Sequence, residues 1–225
     1  VTAAAIAAFY RRIPVIHLEA GLRSGNLSSP FPEEANRKLV SQIATPHLAP
    51  TPNARDNLLR EGIHDRGIVI TGNTVIDALL YTVSRATDVS DPALAQILAS
   101  DRPILLVTTH RRENWGPAIE AIGTAVRLLL EAYPEFQVVL PLHLNPIVRD
   151  SLQRLLADNP SVHLTDPLPY GDFTQVMAAA AIVLTDSGGV QEEAPALGRP
   201  VLVLRENTER PEAIEAGTVR LVGTD

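Results

Sequence analysis

The 225-residue chain has no cysteine, which excludes disulfides and thiolate-bound metals and fits a reducing compartment without requiring one. Aromatic residues are scarce, at 4% beside 45% hydrophobic residues. That is the composition of a soluble α/β chain, large enough for one big or two modest domains. No apolar run approaches the length of a membrane span, so no membrane partner is expected. Basic residues are outnumbered, leaving a formal charge of −7, which argues against nucleic acid as a partner. The first ten residues hold no Met and no basic region of the kind that opens a signal peptide, and they read as the middle of a helix without its cap.

What is present is a repeated alternation of β-rich runs with helical patterns, the signature of parallel sheets covered by helices. In the first part, a helix over about 1–12 precedes a strand at 13–17. Helices at 33–44 and 52–61 then alternate with strands near 47–50 and 68–70. Thr71-Gly72-Asn73 breaks the pattern and is a candidate hinge, because glycine tolerates large backbone changes. A helix at 74–86, a polar stretch at 87–92 and a short helix lead to the second part. Its strands are predicted at 104–108, 137–141, 162–164, 182–185 and 201–204, with helices near 117–132, 146–158, 171–180 and 189–197. The boundary is set at 72/73, giving units 1–72 and 73–225.

In open α/β sheets ligands bind at the carboxyl ends of strands, and five such ends are loaded with polar residues: 17–23, 109–114, 143–146, 186–189 and 205–212. Of these, Leu184-Thr185-Asp186-Ser187-Gly188-Gly189 carries the most information, because an apolar strand runs into Ser-Gly-Gly and opens a helix. Adjacent glycines admit close backbone approach, Ser187 adds a hydroxyl, and helix N–H groups point at negative oxygens, an arrangement suited to a nucleotide diphosphate. Glu193, in the following helix, suits a pair of ribose hydroxyls better than phosphate. The plain alternative is a tight strand-to-helix turn with exposed acids, since short glycine-rich turns are common.

Together HLEAGLRSG (17–25), PEEANR (32–37), TGNTVIDAL (71–79), THRRENWG (109–116), HLNP (143–146), the segment 184–213 and GTVRLVGTD (217–225) closely resemble the non-hydrolysing UDP-N-acetylglucosamine 2-epimerases. The resemblance covers nearly the whole chain in one order. It implies an α/β, GT-B fold of two Rossmann-like domains with parallel sheets, the first present only in part. It also implies interconversion of UDP-N-acetylglucosamine and UDP-N-acetylmannosamine with neither cofactor nor metal.

The implied chemistry is anti elimination of UDP, leaving 2-acetamidoglucal, followed by re-addition. Glu19 and Glu33 match the family's catalytic acids, with a third acid, an aspartate, expected ahead of this sequence. Arg23 and Arg37 are candidate partners that tune these acids, and Arg23 is also assigned to substrate. His110 matches a catalytic and nucleotide-contacting position. Ser187, Gly188, Gly189 and Arg210 match diphosphate contacts, all suitable anion stabilisers. Glu193 matches the ribose ligand, and Phe173 and Leu168 lie beside the uracil, Leu168 where related chains carry glutamine. Arg111 and His143 match the lining of an allosteric substrate position. His17 is read as an orienting residue, Glu34 as a surface or supporting acid, and His47, His64 and His163 as structural or exposed. An acid among Ala20, Gly21 and Leu22 is costly to bury unless used, which strengthens the reading of Glu19.

By the same resemblance the chain is expected to be a fragment, inactive alone, of a cytoplasmic bacterial homodimer that binds UDP-N-acetylglucosamine and UDP and serves polysaccharide biosynthesis. The competing readings are a GT-B nucleotide-sugar glycosyltransferase, a UDP-binding module without catalysis, and a hydrolysing epimerase.

Overall fold

The computed structural model describes residues 1–85, 89–111 and 114–224. Part of the polar stretch (Thr87 and Asp88), Ala86 at the end of the predicted 74–86 helix, Arg112 and Glu113 of THRRENWG, and Asp225 lie outside the described residues. The chain divides into two compact units: Val1–Asp77 with Asn207–Arg210, and Ala78–Glu206 with Pro211–Asp225.

The first unit contains α1 (Thr2–Tyr10), β1 (His17–Leu18), α2 (Glu33–Ser41), β2 (His47–Ala49), α3 (Pro52–Arg60) and β3 (Ile68–Ile70), and α4 (Thr74–Ser84) begins in it. Its sheet is parallel in the order β1-β2-β3. The sequence predicts a first strand at 13–17, but pairing starts only at His17. Pro14 and, on the facing segment, Pro46 have no N–H, so the preceding stretch makes one bond, Thr45 N–H to the Val15 carbonyl (2.7 Å), before the ladder can form.

Ala20, Ala49, Ala54, Leu58 and Ile68 form the core under this sheet. Small residues let α3 approach the loop after β1: at Gly21 (φ +90°) an added Cβ would stand 2.1 Å from the Ala54 carbonyl oxygen. Because that contact is with backbone and the φ disfavours a side chain, Gly21→Ala is expected to destabilise the first unit by about 3 kcal/mol. Chemical denaturation of the purified variant measures this.

The second unit contains α5 (Pro92–Leu98), β4 (Ile104–Thr108), α6 (Pro117–Ala132), β5 (Gln137–Pro141), α7 (Pro146–Leu156), β6 (Val162–Thr165), α8 (Tyr170–Ala179), β7 (Ala180–Thr185), α9 (Val190–Ala196), β8 (Val201–Val203), α10 (Pro211–Glu215) and β9 (Val219–Leu221). All the strand pairs are parallel, in the order β6-β5-β4-β7-β8-β9. That is the doubly wound order of a dinucleotide-type sheet, which reverses direction between β4 and β7.

Two apolar clusters fill the sheet's faces. Leu106, Val139, Val183, Val201 and Val203 pack with Val176, Met177 and Val190 on one side, and Leu105, Val107, Val138, Leu140 and Leu184 with α6 and α7 on the other. Strand alternation sends successive side chains to opposite clusters, which is why β4 and β5 read as continuous apolar runs buried on both faces. Among the described residues no helix is long and apolar enough to cross a membrane.

Candidate functional site

The five polar strand ends fall on two separate sheets. In the second unit, the loops after β4, β5, β6 and β7 enclose a cavity of about 350 Å³. Its wall includes His110, His143, Leu168, Tyr170, Phe173, Ser187 and Glu193. Six residues assigned from the sequence thus meet at the reversal point of the sheet, where separating loops open a crevice.

Gly188 and Gly189 form the turn into α9. Gly189 is its N-cap with ordinary helical angles (φ −65°, ψ −45°) and no side-chain cap. The sequence reading gives glycine a general role in close backbone approach. Here Gly189 contributes the absence of a side chain and not an unusual φ. Ser187 is fixed through its N–H to Thr185 Oγ1 (2.9 Å) and its carbonyl to Gln191 Nε2 (3.0 Å).

Glu193 is buried, and it stands beside Tyr170, a residue the sequence reading does not single out. Burial raises the Tyr170 phenol above its ordinary value, and the charge of Glu193 and a hydrogen bond to it act in the same direction. The phenol therefore stays protonated and donates. His143 Nδ1 accepts the Asn145 N–H (3.1 Å), which leaves Nε2 as its proton-bearing nitrogen. Arg111, its proposed companion, donates its backbone N–H to Asp186 and is not part of the cavity wall.

Asp186 is the organiser that sequence reasoning missed. It is fully buried at the end of β7 and accepts from Thr109 Oγ1 (3.1 Å), the N–H groups of His110 (3.0 Å) and Arg111 (2.9 Å), and Asn114 Nδ2 (2.9 Å). Burial pushes its carboxyl up. The hydrogen bond and charge of His110 and the N–H groups of Arg111 and His110 outweigh that, so the carboxyl stands below its ordinary value. The available signal was an acid in the apolar context Val183-Leu184-Thr185-Asp186, affordable only with partners.

In the first unit, His17, Glu19, Glu33, Asn36 and Arg37 help line a cavity of about 300 Å³. Glu19 occupies the left-handed region at φ +61°, a conformation that costs a non-glycine residue about 1 kcal/mol or more. This turns its side chain outward: Ala20 and Leu22 are buried, while the Glu19 side chain remains 45% exposed. The burial argument for Glu19 therefore fails, and the backbone outlier replaces it as the structural mark of the position. Its Oε1 accepts from Asn73 Nδ2 (3.0 Å) and lies 3.5 Å from the Arg210 guanidinium.

Arg210 belongs to the first unit and is held by the buried Glu209 at 2.7 Å. Arg37 reaches Glu209 at 3.3 Å and Glu34 at 3.8 Å. Glu34 is not a surface acid: it is fully buried and accepts the N–H groups of Ser24 (3.1 Å) and Gly25 (3.2 Å), holding the turn before α2. Arg23 is not in the wall of either of these two cavities. Its guanidinium is occupied by Glu61 (2.7 Å), Ser41 (2.9 Å) and the Leu22 carbonyl (2.8 Å).

His17, in the wall of this cavity, packs edge to face with His47, ring centroids 6.1 Å apart. Burial, then the His47, Arg23 and Arg37 charges, lower His17 from 6.5 to about 4, so it is neutral at pH 7. Burial also lowers His47, followed by an opposing backbone hydrogen bond from Ala44 and a smaller lowering by Arg23.

The unfolded chain protonates such rings near pH 6.5 and the folded chain does not until about pH 4, so acid favours unfolding through that window. At about 1.4 kcal/mol per pKa unit, His17 is expected to remove about 3 kcal/mol of stability between those limits. Urea unfolding across the window measures the loss, and His17→Asn should flatten it.

The UDP-N-acetylglucosamine 2-epimerase family model matches residues 1–225. A probable UDP-N-acetylglucosamine 2-epimerase of Ralstonia nicotianae is 53% identical over 99% of this chain and 60% of its own length. The crystal structure of the Neisseria meningitidis UDP-GlcNAc 2-epimerase bound to UDP-GlcNAc superposes with a TM-score of 0.92 at 48% identity, covering 100% of this chain and 62% of that one. The Methanocaldococcus jannaschii UDP-GlcNAc 2-epimerase in complex with UDP-GlcNAc and UDP gives 0.85 at 36% identity, with 100% and 62% covered. The chain thus spans about 60% of the length of these relatives. On the match to the family model along its whole length, the chain belongs to the UDP-N-acetylglucosamine 2-epimerase family.

Proposed function

We propose that this chain carries the nucleotide pocket and two of the acids of a UDP-N-acetylglucosamine 2-epimerase. In the reaction a carboxylate removes the C2 proton, the C1–O bond to UDP breaks and a C1–C2 double bond forms. UDP then adds back to C1 of the bound 2-acetamidoglucal as C2 takes a proton on its opposite face. Glu19 and Glu33 are the carboxylates this reading assigns, and His110, Ser187 and the first turn of α9 hold the leaving diphosphate. Glu193 takes the ribose, and Phe173 and Leu168 flank the base. The proposal extends, on the resemblance alone, to a cytoplasmic homodimer.

The observation that carries the reading is the meeting of His110, Ser187 and Glu193 in one cavity at the β4/β7 reversal. Calorimetry with UDP on the 225-residue chain tests it. Binding is expected, and Glu193→Ala should weaken it about tenfold or more, the worth of hydrogen bonds to a charged group. Absence of UDP binding would overturn the pocket assignment. Binding without exchange of the C2 hydrogen of UDP-N-acetylglucosamine in deuterated water would favour the narrower reading, a UDP-holding unit that does no chemistry on its own.

A further inference from the structure

The two oxygens of Asp186 have different surroundings. Oδ2 receives Thr109 Oγ1 (3.1 Å), the His110 N–H (3.0 Å), the Arg111 N–H (2.9 Å) and Asn114 Nδ2 (2.9 Å). Oδ1 faces the His110 ring, with Nδ1 at 3.0 Å, and shares the His110 backbone N–H at 3.1 Å. The carboxylate is fully buried while the His110 side chain is 46% exposed. One ring nitrogen is therefore tied to the interior, and the other is left to the exposed side of a ring whose residue lines the cavity. An ionised carboxylate only accepts hydrogen bonds, so Nδ1 must carry a proton. This leaves Nε2 as the nitrogen that takes up and gives a proton to a ligand.

We propose that Asp186 is the positioning residue of His110, fixing the Nδ1–H tautomer and the ring orientation that present Nε2 to the anionic ligand of the cavity. The use of the ring rests on the nucleotide reading above; the tautomer rests on the Asp186 geometry alone. A sharp consequence follows for Asp186→Asn. With four donors converging on the Oδ2 position, the asparagine must place its carbonyl there and turn its NH₂ toward the ring. Nδ1 then has to accept, and the ring proton moves to Nε2. The same inversion in a carboxylate–histidine pair leaves geometry intact and the wrong nitrogen protonated.

Long-range proton–nitrogen NMR on the chain labelled with ¹⁵N-histidine tests this, with His110→Gln identifying the resonance. The wild-type ring is expected to carry its proton on Nδ1, shifted downfield by the carboxylate, and Asp186→Asn to carry it on Nε2 alone. Asn114→Leu also removes a donor to Asp186 but leaves the ring contact, so it should lower the melting temperature without changing the tautomer. UDP affinity should fall roughly tenfold in Asp186→Asn and in His110→Gln, with no further loss in the double variant. Asn114→Leu should stay within about twofold of wild type.

A wild-type ring without a proton on Nδ1 would overturn the proposal, as would a folded Asp186→Asn that keeps it. If that variant does not fold, the wild-type spectrum decides. A wild-type chain that binds no UDP would instead overturn the nucleotide reading, and the tautomer would still be decided by the spectra.

Discussion

Replacing Glu19 with glutamine is expected to slow exchange of the C2 hydrogen of UDP-N-acetylglucosamine by at least about 10³-fold, in any protein where this sequence catalyses that exchange. Removal of a positioned acid or base typically costs 10²- to 10⁴-fold, roughly, and glutamine keeps the shape while losing the proton-transfer function. The structure adds a reason to expect the upper part of that range. Glu19 is held in the left-handed region, with Asn73 at 3.0 Å and Arg210 at 3.5 Å from the same oxygen. A carboxylate so fixed loses little by further ordering in the reaction. UDP affinity serves as the control, since Glu19 takes no part in the wall of the second unit's cavity, and it should remain within about twofold. Proton NMR in deuterated water reads the exchange. Exchange persisting at the wild-type rate would remove Glu19 from the chemistry and return the first unit's cavity to a structural reading.

The larger features were legible because they rest on strong periodic signals. β4 and β5 occupy the predicted residues 104–108 and 137–141, since a run of apolar residues bounded by turns has one economical place in a parallel sheet. The polar residues that follow such strands were legible for the same reason: topology places strand ends at the crevice, whatever the side chains.

What escaped depends on where one side chain points, which composition does not encode. Glu33 and Glu34 are adjacent acids, yet one lines a cavity and the other is fully buried on two backbone N–H groups. The divergence of neighbours on a helix was expected; the direction of each was not. Arg23 was assigned to tuning the acids and to substrate, and the motif gives no sign of its ion pair with Glu61, distant in sequence. Glu19 itself was expected to be buried by its neighbours, and a single positive φ reversed that.

Asp186→Ala should destabilise the second unit by about 4 kcal/mol. The alanine leaves the Thr109 hydroxyl, two backbone N–H groups and Asn114 Nδ2 without their shared acceptor, in a place from which water is excluded. Each unsatisfied buried donor costs about 1–3 kcal/mol, and because the donors share one acceptor the penalties do not add fully. Loss of one partner from a buried ionic network falls in the same range, about 3–5 kcal/mol. The effect should also carry a pH signature. The folded carboxyl lies below its ordinary value of 3.8, so its contribution is complete above that pH and is lost as pH falls through the depressed folded value. Denaturant unfolding of wild type and Asp186→Ala should therefore differ most at neutral pH and draw closer in acid. A gap that stays constant down to the acid limit would mean that the carboxyl acts as a neutral acceptor, and that the charge on the His110–Asp186 contact contributes nothing to holding the β4 and β7 loops together.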